Sequence, residues 1–250
     1  MKKRGQITIF IIVAILLVVG IGLYFLLRGV VGPGLGGSVE TNPQRYIQLC
    51  AEEEARNSIN KVLEQGGFLE PKDYKLHKDI RATYLCKNIG LFGPCINQHP
   101  MLLNEITLEL KNKIKPTVDQ CFVNLQENFQ ELGYDVSIGQ DKGMEVVLAP
   151  GSVYLEVDRS VSVSKSGESV NFEDMSIPYK SSLYELAGIA VDIARNEASF
   201  CYFEYLGYMN LYPRYILGLK VFSDSTKVYS IKDKYTEEEM NIAIRGCAMS

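Results

Sequence analysis

The sequence predicts an α+β protein: a single N-terminal transmembrane helix followed by an ectodomain of helices and antiparallel β-meanders. Three observations predict it. Ile7 to Leu27 is an apolar run whose only polar side chains are Thr8 and Tyr24. Apolar residues recur at three- and four-residue steps over 46–63 and 118–132, the spacing of a buried helix face. From Asp135 the period shortens to two, the spacing of strands with one wet face.

The first element is the apolar run. At about 1.5 Å per residue it reaches roughly 30 Å, the thickness of a bilayer's hydrocarbon core. Lys2, Lys3 and Arg4 precede it and only Arg28 follows, so the positive-inside bias puts the amino terminus in the cytoplasm and the ectodomain outside. A cleaved secretory signal has a shorter apolar region and an A-x-A-like site, whereas residues 28–38 contain no alanine. The expected boundaries are a basic leader over 1–5, a transmembrane helix over 6–28, a glycine-rich linker over 29–41, a helical region over 42–133 and an α+β region over 134–250. In the linker Gly32, Gly34 and Gly37 satisfy G-x-G-x-x-G, but a dinucleotide site needs a strand before the glycines and a helix directly behind them, so the stretch reads as a flexible tether.

Asn42-Pro43 opens a helix, with Asn as cap and Pro in the first turn, and Gly66-Gly67 ends it. Its apolar face runs through Ile47, Cys50, Ala51, Ala55, Ile59 and Val62. Residues 67–100, which hold Cys86, Cys95, His77 and His99, read as an irregular loop. A helical segment over 101–114 follows, and Pro116 opens a second helix with a stripe from Val118 to Leu132, closed by Gly133. Val136 and Ile138, then Met144 to Leu148, Val153 to Val157, and Val161 with Val163 form an antiparallel meander. Ser182-Leu-Tyr-Glu185 is a capping box opening a long helix to Cys201, and short strands return around 216–222, 227–231 and 240–245. Helical and strand blocks in separate runs give the α+β class.

Six cysteines, at 50, 86, 95, 121, 201 and 247, on a chain whose domain faces an oxidising space, suggest disulfides. Cys86 with Cys95 would close a local loop, Cys50 with Cys121 would tie two helices, and Cys201 with Cys247 would tie a helix to the last strand. The competing reading makes the helical cysteines free core residues. His77, Cys86, Cys95 and His99 have zinc-ligand chemistry, but the two cysteines stand farther apart than the about two to four residues typical of structural zinc, and oxidised thiols do not ligate. Cys95 with His99 is the one nucleophile–base pairing the sequence offers, and it lacks a fixed frame. No metal, cofactor or catalytic residue is therefore assigned. Phe200, Tyr202, Phe203, Tyr205, Tyr208 and Tyr212 cluster at the end of the long helix, a density suited to a contact surface, a core edge or the membrane headgroups.

Lys2-Lys3-Arg4-Gly5-Gln6, with the apolar run starting at once, resembles the class III (type IV prepilin-like) signal peptides of archaea. The resemblance implies cleavage between Gly5 and Gln6 by a membrane-embedded prepilin peptidase, with the helix retained. Filament-forming members carry a carboxylate at the fifth mature position, and here that residue is Phe10, which separates processing from polymerisation. Pro43-Gln-Arg-Tyr-Ile-Gln-Leu-Cys50, Gln65-Gly-Gly-Phe68, Cys121 and Arg245-Gly-Cys-Ala-Met249 are also similar to a group of archaeal membrane-anchored proteins that share this leader.

Charge narrows the partners. Four of the 26 basic residues (Lys2, Lys3, Arg4, Arg28) flank the apolar run, leaving 22 against 30 acidic residues elsewhere, a surface that disfavours nucleic acid. The reading is a single-pass, cell-surface structural or interaction protein with pilin-like processing, not an enzyme. Its expected partners are the lipid bilayer, the prepilin peptidase and proteins of a pilus-like or other surface assembly. The alternative is a membrane-tethered solute- or polymer-binding module whose groove is lined by 67–100 and the aromatic helix end. An extracytoplasmic hydrolase ranks last, because no carboxylate pair or activated nucleophile stands in a recognisable context.

Overall fold

In a computed structural model of the protein, the described residues are 42–246 except 89 and 91. The chain divides into two units, 1–41 and 42–250. The leader, apolar run and linker expected from the sequence, and the Gly5–Gln6 bond, lie outside the described residues, as does Cys247. Among the described residues no helix is long and apolar enough to cross a membrane.

Helix α1 spans Pro43–Glu64. The Asn42 side chain accepts from the Arg45 amide at 3.2 Å, and Pro43 sits where a missing N–H is harmless. The chain then turns at Gly66 and Gly67, both with positive φ, and the Gly67 amide donates to the Val62 carbonyl. Helix α2 spans Leu102–Glu131 without a break, with Pro116 inside it, so the expected two helices are one. Packing explains the correction: Leu110, Ile114, Val118 and Cys121 stay in phase across Pro116 on the buried face, while Pro116 is exposed. The Asn112 carbonyl that loses its donor thus lies toward water, where the loss is tolerated. A disulfide joins Cys50 near the start of α1 to Cys121 near the end of α2, which makes the pair antiparallel.

The segment expected to be irregular contains three strands: β1 (Tyr74–His77), β2 (Ile80–Lys87) and β3 (Ile96–Asn97). Strand β2 is buried on both faces from Ala82 to Cys86, so its apolar residues form a run without alternation, and periodicity is blind to it. Its turn is Lys78-Asp79, both with positive φ. Those residue types signal a two-residue hairpin far less strongly than Asn-Gly. Cys86 and Cys95 are disulfide-bonded and bracket the loop between β2 and β3.

The expected four-strand meander is three long strands, each with a bend. Strands β4 (Asp135–Ile138) and β5 (Met144–Ala149) face β7 (Val161–Lys165) and β6 (Ser152–Val157), and these in turn face β8 (Glu168–Phe172) and β9 (Met175–Lys180), all antiparallel. Backbone bonds bridge the bend, from the Gly139 amide to the Ser160 carbonyl and from the Asp158 amide to the Gly143 carbonyl. Helix α2 packs on β4 and β5, and α1 on β9. The polar strand β8, exposed at four of its five positions, carries no apolar alternation and was invisible to pattern.

Helix α3 spans Leu183–Phe200. Its expected capping box does not form: the Ser182 side chain makes no cap bond, and Glu185 instead accepts from the Gly151 amide. The Ser182 amide and hydroxyl both donate to Glu238, a partner 56 residues away. A short helix α4 (Tyr205–Leu211) leads to β10 (Tyr215–Val221), β11 (Thr226–Asp233) and β12 (Glu239–Arg245). The resulting sheet has the order β1-β2-β12-β11-β10, with β3 on β2. Its β12–β2 pair is parallel and its other pairs antiparallel, so the second meander of β10 to β12 is extended by strands from before α2. One face packs on the helices. The other curls until β1 meets the β10–β11 turn, Lys75 to Asp224 at 2.7 Å, and β2 meets the start of β11, Tyr84 Oη to Thr226 Oγ1 at 3.1 Å, enclosing a second small core of Ala82, Tyr84, Val228 and Ala243.

Candidate functional site

The aromatic segment begins where α3 stops. Cys201 adopts a left-handed conformation (φ 58°) that ends the helix, and a buried polar network holds the stop in place. Glu197, 1% exposed, accepts from Lys227 Nζ at 2.6 and 2.9 Å, and Lys227 Nζ also donates to the Cys201 carbonyl at 2.9 Å. The Tyr229 hydroxyl donates to the same carboxylate. Burial first, and then the hydrogen bond to Glu197 and its charge, push the Tyr229 phenol far above its ordinary pKa. Every member of the network is satisfied, as burial of a charge pair requires. Cys201 is itself disulfide-bonded.

Beyond this stop the chain turns side chains both ways. Phe203, 6% exposed, wedges inward, its ring edge-on to Tyr229 at 6.4 Å and 5.6 Å from Tyr208. This corrects its expected place on the contact surface. Tyr205 and Tyr208 are half-buried, and burial, then the Asp192 charge, push the Tyr208 phenol up to about 12. Glu204 caps α4, accepting from the Gly207 amide, and also accepts from the Tyr202 hydroxyl. That bond from Tyr202 holds Glu204 below the ordinary glutamate range and lifts Tyr202 above that of tyrosine. Met209 accepts the Leu217 amide through its sulfur at 3.1 Å, fastening α4 across the edge of β10.

Three of the six aromatics named from sequence, Phe200, Tyr202 and Tyr212, are exposed. Beside them stand residues sequence reasoning missed: Leu206, Leu211, Ile216 and Tyr235, with Phe200 at 74%, Leu211 at 77% and Tyr235 at 80% exposure. Leu206 and Leu211 lay within the segment but are not aromatic. Tyr235 comes from the β11–β12 turn, and Arg214 brings it alongside: the guanidinium lies over the Tyr235 ring at 5.6 Å while binding Asp233 at 2.6 Å. Helix α4 has no fully buried residue. Surface leucines occur singly everywhere, but exposed apolar residues this dense along one segment make it the candidate contact surface.

Two clefts were candidates for the groove of a binding module. One, of about 690 Å³, lies between Glu54, Asn57, Ser58 and Lys61 of α1 and Glu109, Asn112 and Lys113 of α2, closed at one end by 69–72. The other, about 350 Å³, lies on the curled sheet face between His77 of β1 and Gly218 to Lys220 of β10. Residues from 67–100 contribute to both, and neither is lined by 200–212. In the first cleft Lys113 pairs with Glu54 at 3.3 Å, and the Leu69 amide donates to Glu109 at 3.1 Å.

The zinc reading fails on its thiols, since Cys86 and Cys95 are bonded to one another. The same bond removes Cys95 as a nucleophile. His99 turns instead to Glu105, Nδ1 to Oε2 at 2.6 Å, and stacks against Phe68 at 4.6 Å. Among the described residues no group of three or more His, Cys, Asp or Glu side chains is placed to hold a metal ion. No family model, curated protein or solved structure matches this chain.

Proposed function

We propose that this chain is a single-pass, membrane-anchored structural or interaction protein of the outer cell surface, processed like a type IV pilin and able to serve as a minor component of a pilus-like assembly. The observation that carries the reading is the basic leader Lys2 to Gly5 set directly against the apolar run Ile7–Leu27, on a chain whose domain is disulfide-bonded. Disulfides persist in oxidising compartments, which supports an extracytoplasmic domain. The exposed surface of Phe200, Tyr202, Leu211, Tyr212 and Tyr235 supports contact as its task. No catalytic role is assigned.

Mass spectrometry of the protein from native membranes tests the processing. The expected terminus is Gln6, and Gly5→Val should block the cut. A terminus at Met1 or Lys2 would remove the pilin-like reading. Recovery in sheared surface fractions is expected of a filament component, and complete retention with detergent-soluble membrane would leave a lone anchor. A second reading, a solute-binding module, is favoured by the 690 Å³ cleft between α1 and α2. It requires a ligand whose binding is abolished by Asn57→Leu or Asn112→Leu.

A further inference from the structure

We infer that the aromatic segment, with Tyr235 beside it, lies in the headgroup layer of the bilayer that holds the anchor. This rests on the anchored reading above and names the partner of that surface. Side-chain chemistry favours lipid over a protein groove or a second copy, and charge and reach allow it.

The exposed side chains are of the interfacial kind. Tyr202, Tyr212 and Tyr235 offer an apolar ring ending in a hydroxyl, the amphipathic form enriched at both membrane–water boundaries, and Phe200, Leu206 and Leu211 stand beside them as purely apolar groups. They come from the end of α3, the segment through α4 that follows it and the β11–β12 turn, and none of them lines either cleft described above. A fluid layer adapts to whatever outline these side chains present, whereas a protein partner needs a complementary face.

Charge does not oppose it. The carboxylates within the segment are already engaged: Glu204 by Tyr202 and Gly207, and Asp233 by Arg214. Lys234, whose ammonium donates to the Pro213 carbonyl, adds a cation at the edge. With Arg214 and Lys234 set against Glu204 and Asp233, the segment carries no net charge on an otherwise acidic domain, so an anionic leaflet does not repel it.

Reach does not decide the matter against it. Fourteen residues lie between Leu27 and Asn42, and a chain of that length spans at most about 50 Å. A folded unit of about 205 residues has a radius of gyration of about 17 Å. Chain length therefore permits any face to meet the bilayer, and surface chemistry makes the selection. Tethering also raises the effective concentration of the surface at the membrane to the millimolar range, so weak insertion of a few side chains suffices.

The chain has no tryptophan, so single-tryptophan variants report without background. The full chain is reconstituted in vesicles of phosphatidylcholine and phosphatidylglycerol, with and without brominated acyl chains. Leu211→Trp and Tyr235→Trp are expected to lose roughly half their emission on brominated lipid, and Val170→Trp, on exposed strand β8, to lose almost none. Leu211→Glu placed in the Tyr235→Trp chain should cut that quenching at least about twofold, since a charge resists insertion. Phe10→Trp, in the anchor, separates the two failures. If Phe10→Trp is quenched and the patch tryptophans are not, the anchor stands and the docking is overturned. If Phe10→Trp is unquenched, the anchored reading falls and the docking with it. A blue shift at the patch that grows with protein concentration but not with brominated lipid would replace the bilayer by a protein contact.

Discussion

Lys227 Nζ lies 2.6 Å from Glu197 Oε2 beneath the aromatic segment, with the Glu197 side chain 1% and the Lys227 side chain 14% exposed. The pair joins the end of α3 to the start of β11 and fixes the point from which residues 201–216 leave the core. Removing one partner strands a buried charge, a loss of about 3–5 kcal/mol. Lys227→Met should therefore lower the urea midpoint far more than the double variant Lys227→Met/Glu197→Leu, in which no ion is left unpaired. Equal losses in the single and double variants would show that the pair acts through packing alone.

The two disulfides between described cysteines close loops of very different length, 71 and 9 residues in sequence separation. In the chain-entropy account the first stabilises by about 4 kcal/mol and the second by about 2.5 kcal/mol. Cys50→Ala/Cys121→Ala should accordingly lose more stability than Cys86→Ala/Cys95→Ala in denaturant titrations. No described cysteine is free, so thiol trapping of untreated protein should label none of these five positions until reductant is added.

Gly66 has φ +72°, and a Cβ there would lie 2.5 Å from the Asn241 carbonyl oxygen of β12. Both conformation and space demand glycine, because α1 must turn within van der Waals reach of the sheet it packs on. Gly66→Ala is expected to destabilise by about 1–3 kcal/mol, whereas Gly151→Ala, with a similar φ but nothing within 4 Å, pays only the backbone term. Thermal unfolding of the two variants distinguishes them, and equal shifts would deny the contact with Asn241.

Asp233, fully buried, has its pKa lowered. Burial raises it, but the Arg214 guanidinium and the amides of Tyr235 and Thr236 outweigh burial. The direction fixes the pH dependence. A carboxyl with a depressed folded-state pKa contributes stability that is fully present above its unfolded value, about 4, and is lost as pH falls through the folded value. Asp141 and Asp224, bonded to Lys115 and Lys75, act in the same sense. Urea unfolding should thus show stability constant from pH 7 to about 4.5 and falling below about 4. Asp233→Asn should be less stable at neutral pH and show a smaller acid loss.

How much of this was legible followed from how locally each element is specified. Helix α1, its cap at Asn42 and its stop at Gly66-Gly67 are local, and they were readable. So were β10 to β12: in β12 Met240, Ile242 and Ile244 still alternate with Asn241 and Ala243 although both of its faces are buried. Strand β2 was not, because its pairing with β12 spans most of the chain and buries both of its faces, which erases the period. The Ser182 capping box satisfied a local rule, but Glu238 from a distant turn offered a better acceptor and won. In the aromatic segment, the exposed Phe200, Tyr202 and Tyr212 were found by density alone. Density has no sense of direction, so it also took in Phe203, which points inward, and it had no means of finding Tyr235.

Pro116 offers a stabilising change. It sits on the exposed face of α2, 14 residues into a 30-residue helix, where it deprives the Asn112 carbonyl of its donor and crowds the preceding turn. A proline in a helix interior costs about 3 kcal/mol relative to alanine. Part of that is offset, because proline also restricts the unfolded chain, worth about 0.4–1 kcal/mol, and because water reaches the stranded carbonyl. Pro116→Ala restores the bond without touching the buried stripe of Ile114 and Val118, so a net gain of about 1–2 kcal/mol is expected. Denaturant titration gives the sign directly. A loss of stability would mean that the local geometry Pro116 imposes is needed for α2 to pack against both α1 and strands β4 and β5.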